Sequence, residues 1–395
     1  MKVSELRVGA VEYFVGRDGV AAVWTDRAGA TGHAALGATT RFLSRVENLR
    51  DELRDTMALA RGRVPRLREF SEDWGRELLP EKLLADELDV LVIVPHALLH
   101  DVPLHLVRTG AGGEPLGAVV GITYASSRSL FVRCAGRNPA RARDPADWVL
   151  DAAPVGSDGP GSLIGGGADV LTGDHEPFRS LAESLSGLFE PDRVSVFEAG
   201  WPYSRSAVKA AFRREPFDAV CVVAHGYTDP DNHRMSGLLV ELDTVGISSR
   251  AIPLHGGRYF DFRDLPLRRL PPGLRLASPT EILTTAELEV DGHVETQLVV
   301  LLACSAGWGR VVQGDEPASL AESFLHIGAP SVLAPMWDSD REPTSEWAHQ
   351  FFEAWVDRGY PKALAARHAM THMQTGRYAD HPERLGALAL KGDWL

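Results

Sequence analysis

The chain has little cysteine, a deficit of positive charge and no long apolar run, and each shortage narrows its reading. Only three cysteines occur, Cys134, Cys221 and Cys304, among 395 residues. An odd, sparse set without paired spacing excludes a disulfide framework, so each thiol needs its own explanation. Acidic residues outnumber basic ones, 54 against 41, for a net charge of −13. That balance argues against a nucleic-acid or anionic-membrane partner, since both favour basic surfaces. No apolar stretch approaches the roughly 20 residues that cross a bilayer. The first 20 residues lack the apolar run and small-residue cleavage site of a signal peptide, so a cytoplasmic location is expected. No repeat with a period of roughly 20–50 residues is present, which excludes a solenoid.

What is there reads as an ordinary globular protein. Hydrophobic residues make up 44% and charged residues 24%, and the length allows two domains or one large one. Residues 7–25 hold two β-rich runs joined at Arg17-Asp18-Gly19, a strong hairpin signal. Phe42, Val46, Leu49, Leu53 and Met57 recur at helical spacing and predict a helix over 41–60. Val90–Val94 is the continuous apolar run of a strand buried on both faces, and Ala118–Tyr124 is a second strand candidate. Over 136–168 the composition turns to Arg, Pro, Asp and Gly, which predicts a linker or surface loop. Its glycine run resembles a phosphate loop only superficially, with neither a strand before it nor a helix opening after it.

Beyond the linker the pattern alternates strand and helix. Phe178–Phe189 is amphipathic, and Ser204 or Ser206 is placed to cap a helix through Ala211. Asp218–Ala224 and Gln297–Ala303 read as buried strands. A helix over Ala318–Ile327 stops at Gly328, and Pro330–Met336 forms a further strand. Thr344 is the expected cap of a helix ending near Gly359, and Pro361 opens a last helix to about Gln374. Such alternation predicts a mostly parallel sheet with helices on both faces. Reactive groups then belong at the carboxyl ends of the strands.

Two of those ends carry complementary chemistry. One strand finishes in Ala224-His225-Gly226 and another in Ala303-Cys304-Ser305-Ala306-Gly307. A thiol at neutral pH is only a few per cent thiolate and needs a neighbouring base, which an imidazole with a reference pKa of about 6.5 supplies. Gly226 admits a close backbone approach, and its N–H is suited to holding an oxyanion; Gly307 lets the chain turn away. Cys221, inside its strand, and Cys134, with no base nearby, read as packing residues. His96, His100 and His105 cluster, but Pro95 and Pro103 interrupt any helix that would aim them at a metal. Gly314-Asp315-Glu316 is explained equally well as a cation site or as a capped turn.

These residues bring the chain close to a known family. The segments VCVVAHGYTD, MSGLLV, LTTAELE, LVVLLACSAGWG, GDEPASLAESFLHIGAPSVLAPMWDSD and SEWAHQFFEAW resemble the CHAT domain, a caspase-like cysteine peptidase module related to separase. LVIVPHALLHDVPLHLV and GITYASSRSL resemble the family's N-terminal portion. The resemblance implies a caspase-like α/β fold in which His225 is general base and acid and Cys304 the nucleophile that forms a thioester. The N–H groups of Gly226 and Cys304 would bind the oxyanion. No third, orienting carboxylate is evident, and no metal or organic cofactor is required. The family often carries Glu-Thr after the cysteine, where this chain has Ser305-Ala306. In relatives an acidic residue after the Trp of the next strand contacts a basic substrate side chain, which points to Asp338 and Asp340; a helix cap near Thr344 is the plainer role for them.

The expected organisation is a non-catalytic half over 1–135, the linker over 136–168 and a catalytic half over 169–395. The irregular stretch 243–283 reads as a lid over the cleft, or as a processing site around Arg268-Arg269. The expected function is a regulated cysteine endopeptidase cutting a specific protein, with a regulatory protein partner. The rival is a catalytically silent scaffold or sensor that keeps the fold.

Overall fold

The computed structural model describes residues 3–85, 87–109, 113–138, 163–167, 188, 194–196, 217–223, 225–227, 233–239, 251–254, 258–261, 282–294, 296–311 and 317–395. The first part of the chain supplies strands β1 (Val8–Val15), β2 (Val20–Thr25), β3 (Thr31–Gly37), β4 (Val90–Val94) and β5 (Gly121–Tyr124). The rest supplies β6 (Leu163–Gly167), β7 (Val194–Val196), β8 (Phe217–Val223), β9 (His225–Tyr227), β10 (Gly237–Leu239), β11 (Ala251–Leu254), β12 (Arg258–Asp261), β13 (Ile282–Thr284), β14 (Thr296–Leu302), β15 (Arg310–Val311), β16 (Pro317–Ala318), β17 (Ser331–Pro335) and β18 (Leu388–Gly392).

One 11-stranded sheet runs β3-β2-β1-β4-β5-β18-β17-β14-β8-β6-β7. β17, β14, β8, β6 and β7 are mutually parallel. β1, β4, β5 and β18 form a second parallel block. The blocks meet where β18 pairs antiparallel with β17. The last strand of the chain therefore sits between strands from its two parts.

β14 shows how the sequence builds this core. Strands flank both its edges and helices cover both its faces, so the apolar run needs no polar alternation. Leu298, Val300 and Leu302 pack with Trp347, Phe351 and Leu364 on one face. Val299, Leu301 and Ala303 pack with Leu288, Leu320 and Phe324 on the other. The period of two along the strand thus sends successive side chains into two separate cores. The helices Arg341–Phe352 and Lys362–Thr375 cover the first face, and Thr285–Asp291 and Leu320–Ile327 cover the second.

Several expectations hold. The hairpin is β1–β2, paired from Ala10↔Thr25 to Val15↔Val20. Val90–Val94 is a buried strand. The long helix runs Thr39–Arg54, buries Phe42, Val46, Leu49 and Leu53, and breaks at Asp55, which caps a short helix Thr56–Ala60. Gly328, at φ 138°, ends the helix Leu320–Ile327.

Others need correction. Leu163–Gly167, placed in the linker by composition, is strand β6, hydrogen-bonded between β7 and β8. Three glycines offer no side chains to pack, but their N–H and C=O groups satisfy a ladder as well as any others. Leu116–Val119 is a short helix, so the strand there begins only at Gly121. Asp340, not Thr344, stands at the N-cap of the helix Arg341–Phe352; Thr344 Oγ1 donates back to the Asp340 carbonyl at 2.7 Å. Within 243–283, β11 and β12 form a hairpin. The helices expected over Phe178–Phe189 and up to Ala211, the Arg268-Arg269 pair and Gly314-Asp315-Glu316 lie outside the described residues.

Candidate active site

Register brings the two candidate residues together. β8 and β14 pair in parallel from Thr296↔Phe217 to Leu302↔Val223, an offset of 302 − 223 = 79 residues. His225 and Cys304 are separated by the same offset, 304 − 225 = 79. Each is the second residue past its strand, and neighbouring strands run about 4.8 Å apart.

The backbone beyond the strands keeps this closeness. β9 begins at His225 and pairs antiparallel with β10, His225↔Leu239 and Gly226↔Leu238. A β-carbon on Gly226 would collide with the Cys304 carbonyl oxygen and stand 3.2 Å from its carbonyl carbon and 3.3 Å from its nitrogen. Glycine is needed at 226 because the Cys304 backbone passes against it. The close backbone approach expected at Gly226 is that of Cys304. The His225 imidazole lies outside the described residues.

Cys304 is half-buried and opens a tight turn. Ser305 follows with φ 55°, one of two described non-glycine residues in the left-handed region, where an L-residue costs roughly 1–2 kcal/mol. The surroundings hold it there. The buried Ser305 hydroxyl donates to Asp338 at 2.7 Å. Ala306 N–H donates to Ala303 O at 3.1 Å and Trp308 N–H to Ser305 O at 3.1 Å. Gly307 N–H donates to Pro335 O at 2.8 Å, and Ala321 N–H to Ala306 O at 3.0 Å. A β-carbon on Gly307 would stand 2.9 Å from that same Pro335 oxygen, so this glycine also answers a close approach.

The two aspartates have separate surroundings. Asp338 is buried against the turn, after Trp337, whose Nε1 donates to Glu383 O at 2.9 Å. The Asp340 carboxylate is 46% exposed and pairs with Arg384 at 3.2 Å. Of the five predicted site residues, His225, Gly226, Cys304 and Asp338 follow the neighbouring ends of β8, β14 and β17, counting the histidine by its backbone. Asp340 stands two residues further on.

The other two thiols are poor nucleophiles. Burial pushes both Cys134 and Cys221 up to about 12. His105 is buried with Nδ1 at 2.8 Å from Tyr124 Oη and Nε2 at 2.7 Å from Gly386 O. His96 Nδ1 accepts from Val15 N–H at 3.2 Å. These histidines serve the core and the hairpin, as packing and turn residues do.

The first part of the chain also touches the turn. The Arg54 guanidinium lies 4.4 Å from the centre of the Trp308 ring. Beside it Arg50 meets Asp101 at 2.6 Å. Burial raises the Asp101 carboxyl above its ordinary range although Arg50 and Arg54 act against it. From β18, Lys391 donates to the Gly307 carbonyl at 2.8 Å. Sequence reading missed these contacts; the signal was a lysine inside the apolar run Leu388–Gly392.

The sequence pattern of the CHAT domain matches residues 69–388. The chain belongs to the CHAT-domain family. Among solved structures, this CHAT domain is similar to separase of Saccharomyces cerevisiae in its complex with securin, at 10% identity and a TM-score of 0.58. That match covers 98% of this chain and 30% of separase, so the CHAT domain spans under a third of the larger protein. The Arg-specific cysteine proteinase gingipain R matches at 13% identity and a TM-score of 0.42, over 83% of this chain and 67% of its own. RgpB of Porphyromonas gingivalis, in a complex of its pro- and mature domains, matches at 12% and 0.43, over 88% and 71%. No curated protein matches the chain. The CHAT domain thus has the α/β fold of caspase-like cysteine peptidases. Among the described residues, no helix is long and apolar enough to cross a membrane.

Proposed function

We propose that the chain is a cysteine endopeptidase that acts in the cytoplasm on a specific protein partner, with Cys304 as nucleophile and His225 as base. The observation that supports this reading is the shared 79-residue offset: extended two residues past Leu302↔Val223, the β8/β14 register would bring the two residues side by side, and Gly226 lies against the Cys304 backbone. In this reading His225 takes the thiol proton and the thiolate attacks the scissile carbonyl. The Cys304 and Gly226 N–H groups meet the developing oxyanion, and the imidazolium then returns its proton to the leaving amine. A positive field from a partner histidine lowers a thiol's pKa, whereas burial is the largest influence on Cys134 and Cys221 and raises both.

For substrate choice, Asp340 is the better placed of the two carboxylates to meet a basic side chain, because Asp338 is taken up by Ser305. A substrate Arg or Lys would compete with Arg384 for Asp340. Control by a partner protein and a lid or cleavage site within 243–283 belong to the same proposal.

Two measurements test it. Iodoacetamide should modify Cys304 much faster than a free cysteine at pH 7, and His225→Ala should remove the difference. New protein N-termini in host cells should appear with the wild type and vanish with Cys304→Ala. A Cys304 thiol that reacts no faster than free cysteine, with identical N-termini in both strains, leaves the silent scaffold as the function.

A further inference from the structure

A lysine in the middle of a core is costly to bury, and this one bridges a carboxylate and a backbone carbonyl. Lys391 lies in β18 between β5 and β17, and its side chain is 9% exposed. Its Nζ donates to the Gly307 carbonyl at 2.8 Å and to Glu322 Oε1 at 2.9 Å. Glu322, 3% exposed on the helix Leu320–Ile327, takes a further short hydrogen bond from the Ser126 hydroxyl through its other oxygen. Ser126 follows β5 in the first part of the chain. Burial works against the Glu322 carboxylate, yet the Lys391 charge and the bonds from Ser126 and Lys391 carry it below its usual range.

Simple packing does not call for this arrangement. A buried ion pair gains little over apolar side chains of the same volume, because desolvation offsets the attraction. β18 is otherwise filled by Leu388, Ala389 and Leu390. The distinctive element is the third partner: the ammonium reaches past the ion pair to the last residue of the Cys304–Gly307 turn. That carbonyl sits three residues from the proposed nucleophile, in the same turn that carries Ser305 at positive φ. Ser305 is held from one side by Asp338 and Gly307 from the other by Lys391.

We propose that Lys391 is a positioning residue: it fixes the Cys304–Gly307 turn through the Gly307 carbonyl, with Glu322 holding the ammonium in place and Ser126, from the first part of the chain, holding Glu322. The clamp on the turn stands on this geometry; only its effect on Cys304 reactivity rests on the peptidase reading.

The test uses the full chain with Lys391→Met and the double variant Lys391→Met/Glu322→Met, which removes both charges together. Hydrogen exchange of the amides of 304–308 reads the turn, exchange across β14 reads the core, and iodoacetamide modification of Cys304 reads reactivity. In a folded variant, exchange over 304–308 should rise about tenfold or more, as loss of a hydrogen bond from a charged donor implies, while β14 keeps its wild-type rates and Cys304 modification slows. Unchanged exchange over 304–308 in the folded double variant overturns the clamp. So does failure of both variants to fold, which makes Lys391 a folding residue only. Faster exchange with Cys304 as sluggish as free cysteine in the wild type leaves the clamp standing and removes the peptidase reading.

Discussion

Gly226 and Cys304 touch backbone to backbone: no β-carbon fits on Gly226 without striking the Cys304 carbonyl. The two strand ends that carry the proposed base and nucleophile thereby abut. The contact yields a direct test.

Gly226→Ala should destabilise the protein by about 1–3 kcal/mol, as overpacking of a filled site does, and should change the rate at which Cys304 is alkylated. Gly136→Ala is the control. It lies exposed in the helix Arg128–Arg137 with open space around it, and should be neutral or stabilise by about 0.5–1 kcal/mol. Urea unfolding of both variants decides; equal midpoints would mean that the 226–304 contact is loose.

Ser305 combines a positive φ with a buried hydroxyl held by Asp338. Ser305→Ala should cost about 1–3 kcal/mol through loss of that bond to a carboxylate. Ser305→Gly loses the same bond but relieves the left-handed backbone, so it should be the more stable of the two by about 1 kcal/mol. The reverse order in chemical denaturation would show that Ser305 carries no strain.

Thiol stoichiometry separates the three cysteines. With Cys134 and Cys221 pushed up to about 12 by burial, native protein at pH 8 should take up one alkyl group per chain and unfolded protein three. Cys304→Ala should take up none while folded. Intact mass measurement checks this, and rapid native labelling at Cys221 would contradict its place inside the sheet.

His105 makes stability depend on pH. Burial lowers its pKa to about 4, against the opposing hydrogen bond with Gly386. The folded protein therefore holds a neutral imidazole where the unfolded chain, at about 6.5, binds a proton. Its contribution is complete above 6.5 and is lost as pH falls from 6.5 towards 4, up to about 3 kcal/mol in all. The urea midpoint should drop over that interval, and His105→Gln should flatten that part of the profile. An equally steep wild-type and variant profile would assign the loss to other groups.

Much of the architecture was legible locally. Val90–Val94 and Gln297–Ala303 announced themselves as strands because a strand buried on both faces must be apolar throughout. His225 and Cys304 stood out because each follows such a run. β6 was misread because Gly165-Gly166-Gly167 carries no periodic signal, and its pairing comes wholly from β7 and β8. β18 escaped notice because Lys391 interrupts its apolar pattern, and only partners 69 and 84 residues away, the Glu322 carboxylate and the Gly307 carbonyl, explain a lysine there.

The sequence by itself determined the class of fold, the family and the two residue types that follow strands, since these depend on burial patterns and motifs that local chain segments carry. Only the tertiary structure decided the β8/β14 register, the contact of Gly226 with Cys304, the hold of Asp338 on Ser305 and that of Lys391 on Gly307. Each of these joins residues at least 33 positions apart, and such pairings follow from how whole strands slide and pack against one another rather than from any local run of side chains.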